Sequence, residues 1–257
     1  MTKFLVLLAD LGSTIRNILS AWKDYATYMG SKVYIRGNCF VAVNNDSHIS
    51  CDFSNTIVCT DRLDSNLGNI FRIRPIQSYS ILLDGQFSML DGPEGKIASL
   101  MILWQQNFKK LIKITNFPDL VIKELTFSEL NRFAEVVFDA FAYDEVNIAE
   151  SLEFYKRGFS SGMIRYFGLI KEGSLVSVLL AHRNRNKSLY GLELVATSKQ
   201  FQGKGYSKLL LTHVLEELFL CNPEAIWLFS IEGSIAESIY KKIGFSAVGK
   251  ILISKLL

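Results

Sequence analysis

The residues Gln202-Gly203-Lys204-Gly205-Tyr206-Ser207 lie between an alternating apolar stretch and a strongly amphipathic one. Placed there, they can make an anion cradle. The first amides of a helix have no intrahelical acceptor, and the macrodipole makes that end positive. Glycines at 203 and 205 remove the Cβ atoms that would keep a phosphate off those amides, and Lys204 adds a cation beside them. A pyrophosphate, gripped by the loop and by the amides of Tyr206, Ser207 and Lys208, is the natural ligand. The alternative is an ordinary connection in which Gly203 and Gly205 only relieve strain, and the hexapeptide by itself does not separate the two. It is neither of two better-known phosphate motifs. The GK[ST] ending of a Walker loop is missing, and the preceding strands follow one another as hairpins rather than as a βαβ unit.

Periodicity supplies the elements that would position this loop. Leu120–Leu125 alternates like a strand. Leu130, Phe133, Ala134, Val137, Phe138 and Phe141 make one helical stripe, and a shorter helix covers Ile148–Arg157. Met163–Lys171 and Leu175–Arg183 read as strands joined by a turn at Glu172-Gly173, and Ser188–Thr197 as a third. A helix from Gly205 to Leu220, a strand at Ala225–Ile231 and a helix at Ile235–Ile243 follow. Gly244 caps that last helix, and extended chain runs from Phe245 to Leu257.

The first half is less regular. Ile15, Ile18, Leu19, Trp22 and Ala26 predict a helix. Short strands are expected at Val33–Ile35, Cys39–Val43, Ile57–Cys59, Phe71–Ile73 and Ser80–Leu83, and a second helix near Ile97–Lys110. The seam between the halves falls at Lys113–Pro118, where Pro118 enforces extended backbone before it. Two units follow: residues 1–115, a smaller divergent α/β domain, and residues 118–257, a mixed sheet flanked by helices.

Composition narrows the function. With 49% apolar residues among 257, the chain is not a disordered protein. A net charge of +3 does not argue for nucleic acid, and the one basic run, His182–Lys187, reads as a solvated turn. The apolar start Phe4–Ala9 is short and broken by Asp10, so neither a secretion signal nor a membrane span is expected. Cys39, Cys51, Cys59 and Cys221 form no CxxC pair and read as reduced, mostly buried thiols of a cytoplasmic protein. No His, Cys and carboxylate cluster has metal-ligand spacing, so no metal is expected.

The segment LELVATSKQFQGKGYSKLLL, Leu192–Leu211, followed by IAESIYKKIGF, Ile235–Phe245, resembles the GNAT superfamily of acyl-CoA-dependent N-acyltransferases. The family's Q/R-x-x-G-x-G/A loop is met by Gln202 and Gly205, with Ser207 in the last place. Its A-x-x-x-Y-x-x-x-G-F segment is met by Ala236, Tyr240, Gly244 and Phe245. Gly233 stands where many members carry an Asn that contacts the cofactor arm. The resemblance covers residues 118–257 and implies a mixed, mostly antiparallel sheet with acetyl-CoA as cosubstrate. The first half would then be a degenerate copy of the same fold.

The resemblance also implies roles. The strand at Leu192–Thr197 would splay from Ala225–Ile231, and the pantetheine arm would pair with Val195, Ala196 and Thr197 like an added strand, the alternative being a fully paired central strand. A backbone amide there would hold the thioester oxygen. Tyr240 would protonate the departing thiolate, since a phenol titrates near 10 and a thiol near roughly 8.5, the alternative being a core tyrosine packed on the sheet. Glu193 would take the proton of the amine, the alternative being a surface or edge carboxylate. His213 reads as structural. The expected reaction is acetyl transfer to a primary amine on a small molecule or peptide, with no nucleic acid or membrane partner and a homodimer left open. The second reading is a non-catalytic acyl-CoA-binding or interaction module.

Overall fold

In the computed structural model of the chain, residues 2–36, 39–43, 56–59, 76–82, 95–108, 119–142, 148–186 and 188–256 are described. The seam at Lys113–Pro118, the strand expected at Phe71–Ile73 and Cys51 lie outside them. The elements in chain order are α1 (Thr2–Tyr28), β1 (Lys32–Arg36), β2 (Cys39–Val43), β3 (Thr56–Cys59), β4 (Ile76–Leu82), β5 (Gly95–Leu103) and β6 (Leu120–Glu124). Then come α2 (Leu130–Phe141), α3 (Ile148–Ser160), β7 (Ile164–Lys171), β8 (Ser174–Arg183) and β9 (Leu189–Thr197). Last are α4 (Tyr206–Phe219), β10 (Ala225–Ile231), α5 (Ile235–Ile243) and β11 (Ser246–Leu256). Among the described residues no helix is long and apolar enough to cross a membrane.

The eleven strands among the described residues form one sheet in the order β1-β2-β3-β4-β11-β5-β10-β9-β8-β7-β6. Pairing is antiparallel except for β3 with β4 and β9 with β10. The order has a mirror about the β11–β5 junction: each half carries one parallel pair and lends its last strand to the other half. This mixed sheet is built for burial on two faces. Ala98, Leu100, Ile102 and Trp227 face a core under α1, α2 and α3, whereas Met101, Leu103, Ile226 and Leu228 face a second core under α4 and α5.

The expected helix near Ile97–Lys110 is instead β5, followed by a single 3-10 turn at Gln105–Asn107. The run IASLMIL is apolar on both faces because β5 lies in the middle of the sheet, paired with β10 on one side and β11 on the other. A continuous apolar run of this kind has no period to tell strand from helix.

The turn expected at Glu172-Gly173 and the cap expected at Gly244 hold, and the structure adds a capping box. Thr126 and Glu129 form a capping box before α2, with the Thr126 amide donating to Glu129 Oε2 at 3.0 Å. Glu172 and Gly173 both take positive φ, 48° and 78°, as a tight hairpin turn requires. Gly244 ends α5 at φ 116°, and a Cβ there would stand 2.0 Å from the Asn107 carbonyl oxygen. Only glycine fits that crossing of α5 over the exit of β5.

Candidate active site

The connection from β9 to α4 is fixed at both ends. Asp139 of α2 accepts from the Ser198 hydroxyl and, at 2.8 Å, from the Lys199 amide, and these bonds hold its carboxyl below the usual range. Gln202 Nε2 donates to the Thr197 carbonyl at 3.0 Å. Gly203 and Gly205 take φ of 76° and 82°, and a Cβ at either would meet nothing within 4 Å. Gly205 is the N-cap of α4, and among the described residues no side chain caps that end. The amides of Tyr206, Ser207 and Lys208 therefore open the helix without a side-chain acceptor. Lys204 folds back: its Nζ donates to the Gln200 carbonyl at 3.2 Å and lies 5.2 Å from the centre of the Phe201 ring.

Upstream of the loop the sheet opens. The parallel pairing of β9 with β10 covers Leu189, Tyr190 and Gly191 against Ala225, Ile226 and Trp227 and goes no further. On its other edge β9 carries a bulge: Val178 faces Ala196 and Leu180 faces Glu193, so two residues of β9, Leu194 and Val195, stand against one of β8. Leu194 takes φ 52°, a left-handed conformation costly for a leucine. Bulges of this kind bend a strand and re-aim its groups, and this one bends β9 where it leaves β10. Beyond the bulge, the Ala196 carbonyl accepts from Ser177 Oγ at 2.8 Å.

The gap brings two ionisable groups from opposite faces of the sheet into electrical contact. Tyr240 sits on α5 in the second core, 8% exposed. Glu193 sits on β9, 7% exposed, with its Oε1 3.8 Å from His182 Nε2. Burial first, and then the Glu193 carboxylate, push the Tyr240 phenol well above its ordinary value of 10.0. The edge-carboxylate alternative for Glu193 does not hold. Neither does the solvated turn at His182, which is a fully buried β8 residue stacked on Tyr25 of α1. Cys221 is exposed rather than buried, at the end of α4.

A residue absent from the sequence reading anchors α5. Glu237 is buried and accepts from Ser99 Oγ at 2.6 Å, from the Gly233 amide at 2.8 Å and from Lys241 Nζ at 3.0 Å. These donors hold its carboxyl at about 2. Ser234 caps the helix by accepting from the Glu237 amide at 3.1 Å. The S-x-x-E spacing, Ser234 to Glu237, is a capping signal visible in the sequence, but its link to Ser99 is not.

A helix starts directly after a glycine loop, beside two parallel strands that part close to a bulge. The family model of the acetyltransferase (GNAT) domain matches residues 137–255, and this part of the chain is a GNAT acetyltransferase domain. The fold is also similar over nearly the whole length to a GCN5-related N-acetyltransferase from Kribbella flavida. The TM-score is 0.64 at 11% identity, covering 92% of this chain and 93% of that one. A GCN5-related N-acetyltransferase from Sphaerobacter thermophilus gives a TM-score of 0.59 at 12% identity, covering 85% and 76%. A tandem GNAT protein from the clavulanic acid biosynthesis pathway gives 0.56 at 10%, covering 84% and 78%. None of the curated proteins compared with the chain matches it in sequence.

Proposed function

We propose that the protein is a cytoplasmic N-acetyltransferase that moves an acetyl group from acetyl-CoA to a primary amine on a small molecule or peptide. The observation that carries this is the alignment of the uncapped α4 start with the opening between β9 and β10. Acetyl-CoA supplies the activated acyl carbon as a thioester. The amides of Tyr206, Ser207 and Lys208, with Gln202, Gly203, Lys204 and Gly205, grip its diphosphate. The Val195, Ala196 and Thr197 backbone lies along the arm, next to the bulge that turns an amide toward the thioester oxygen. Glu193 takes the proton of the amine, which is charged at neutral pH until a base removes it. Tyr240, kept protonated by burial and by the Glu193 charge, gives its proton to the thiolate.

Residues 1–115 act, in this reading, as a degenerate counterpart of residues 118–257. The mirrored strand order and the second parallel pair, β3 with β4, support it.

Isothermal titration with acetyl-CoA tests the proposal: saturable binding at micromolar ligand is expected, and none at high micromolar ligand ends it. In Gly205→Ala the added methyl stands in open space, so the fold survives with a loss of about 1 kcal/mol, while affinity drops at least tenfold. The second reading, a binding module without catalysis, draws on Gly233, which offers the coenzyme arm no side chain. Tight binding with no thiol release against a broad amine panel would favour it.

A further inference from the structure

His182 stands at the vertex of the cleft. Its ring stacks on Tyr25 of α1, with centroids 4.2 Å apart and planes at 14°, and meets Trp227 of β10 edge-on at 5.4 Å. Across the β8–β9 ladder it faces Gly191, where a Cβ would lie 2.1 Å from its Nε2. Gly191 is also the last residue of β9 that pairs with β10. The backbone thus gives up a side chain, at the point where the strands part, to make room for an imidazole.

That imidazole is fully buried, and neither ring nitrogen has a hydrogen-bond partner. Burial pushes its pKa down to about 3, so it is uncharged at neutral pH and carries a single N–H. A buried donor without an acceptor is costly, and the carboxylate Oε1 of Glu193, 3.8 Å from Nε2, faces it. The ring is locked between Tyr25 and Trp227, whereas the glutamate has three rotatable bonds. A small rotation of Glu193 closes the distance to a hydrogen bond.

We infer that His182 is a positioning residue: its Nε2–H donates to Glu193 Oε1 and leaves Oε2 directed into the cleft to take the proton of an incoming amine. The inference rests on the reading of Glu193 as that proton acceptor. When the amine is deprotonated, an N–H bond of the substrate breaks and an O–H bond forms at Oε2. The imidazole N–H stays intact and gives up no proton. A hydrogen bond donated to a carboxylate favours its ionised form. Ionisable groups that face Glu193 include His182 from β8 and, across the gap, Tyr240 from α5. Tyr25 from α1 and Trp227 from β10 pack on the imidazole itself.

The test reads protonation directly and needs no acceptor substrate. In protein labelled with carboxyl-13C glutamate, the Glu193 resonance is identified by its loss in Glu193→Gln and followed across the acid range. His182→Phe keeps a stacked ring without an N–H and is expected to raise the Glu193 midpoint by about one pH unit. His182→Gln restores a donor and is expected to return most of that shift. Nitrogen-15 spectra of the wild-type ring should show the proton on Nε2. A midpoint that stays put in His182→Phe, or a ring protonated on Nδ1, overturns the inference. Full turnover in Glu193→Gln would instead overturn the proton-acceptor role on which it rests, whatever the spectra show.

Discussion

Ser99 donates its hydroxyl to Glu237 at 2.6 Å, and the two residues stand 138 positions apart in the chain. The bond joins a strand of the first half to the helix that carries Tyr240, so the first half takes part in aiming that phenol. Ser99 is 3% exposed and Glu237 5%, which makes this a buried, charge-assisted contact. Ser99→Ala is expected to cost about 1–3 kcal/mol in urea unfolding. The same contact sets a pH dependence. The Ser99 hydroxyl first, then the Gly233 amide and Lys241, hold the folded carboxyl at about 2, against an ordinary 4.5. A depressed folded value means that the stabilisation is complete above the unfolded pKa and is lost as pH falls from about 4.5 toward 2. Glu237→Gln should therefore flatten the acid side of the stability curve. An unchanged acid slope in that variant would remove Glu237 from the role.

Gly191 and His182 are coupled through space that only one of them can fill. A methyl on Gly191 would collide with Nε2 at 2.1 Å and with the Trp227 ring at 2.9 Å. Gly191→Ala is expected to destabilise the fold by about 1–3 kcal/mol, the usual effect of overpacking a core. His182→Ala removes the first of those obstacles at the cost of a cavity. The double variant should then be less unstable than the sum of the singles by at least 1 kcal/mol. Strict additivity in chemical unfolding would show that the ring does not occupy the space above Gly191.

Tyr240→Phe removes an acidic hydrogen and little volume. The ring stays buried beside Phe245, at 5.8 Å between centroids, so stability should change by less than about 1 kcal/mol. If the phenol protonates the leaving thiolate, turnover falls by about 100-fold or more while the dissociation constant for acetyl-CoA moves little. Thiol release in the steady state, paired with calorimetric binding, separates the two effects. Turnover equal to the wild type would take Tyr240 out of the chemistry.

What the sequence disclosed follows from where single-residue patterns are decisive. Gly203, Gly205 and the apolar rows after them announce a turn followed by a helix start, because positive φ and the first amides of a helix are local properties. The turn at Glu172-Gly173 and the cap at Gly244 were legible for the same reason. β5 was not, because a strand buried on both faces loses its alternation. His182 was misplaced by its neighbours: Arg183, Asn184 and Arg185 suggest a solvated turn, whereas β8 runs on to Arg183 and buries the imidazole against α1. The bulge at Leu194 left no mark either. Leucine has no preference for positive φ, and that strain is imposed by the ladder with β8 and by the departure of β10.

The position of β5 carries the last prediction. In the sheet order, β5 separates β10 from β11, and its two ladders run from Ala98–Leu103 against β10 and from Gly95–Ile102 against β11. Residues 118–257 alone contain β10 and β11 but nothing to lie between them. Each would present a row of unpaired amides and carbonyls with apolar side chains above and below, the arrangement most prone to aggregate. Met101 and Leu103 would also be missing from the core under α4 and α5, and Ala98, Leu100 and Ile102 from the one under α1. A chain cut at residue 118 is therefore expected to fail as a monomer, giving poorly dispersed amide spectra or aggregates. Fusing residues 95–103 to it through a flexible linker should recover part of the dispersion, since the strand restores both ladders at once. A well-folded, monomeric 118–257 fragment would mean that β10 and β11 close on each other without the strand, and that the first half is an addition to the acetyltransferase domain rather than part of its sheet.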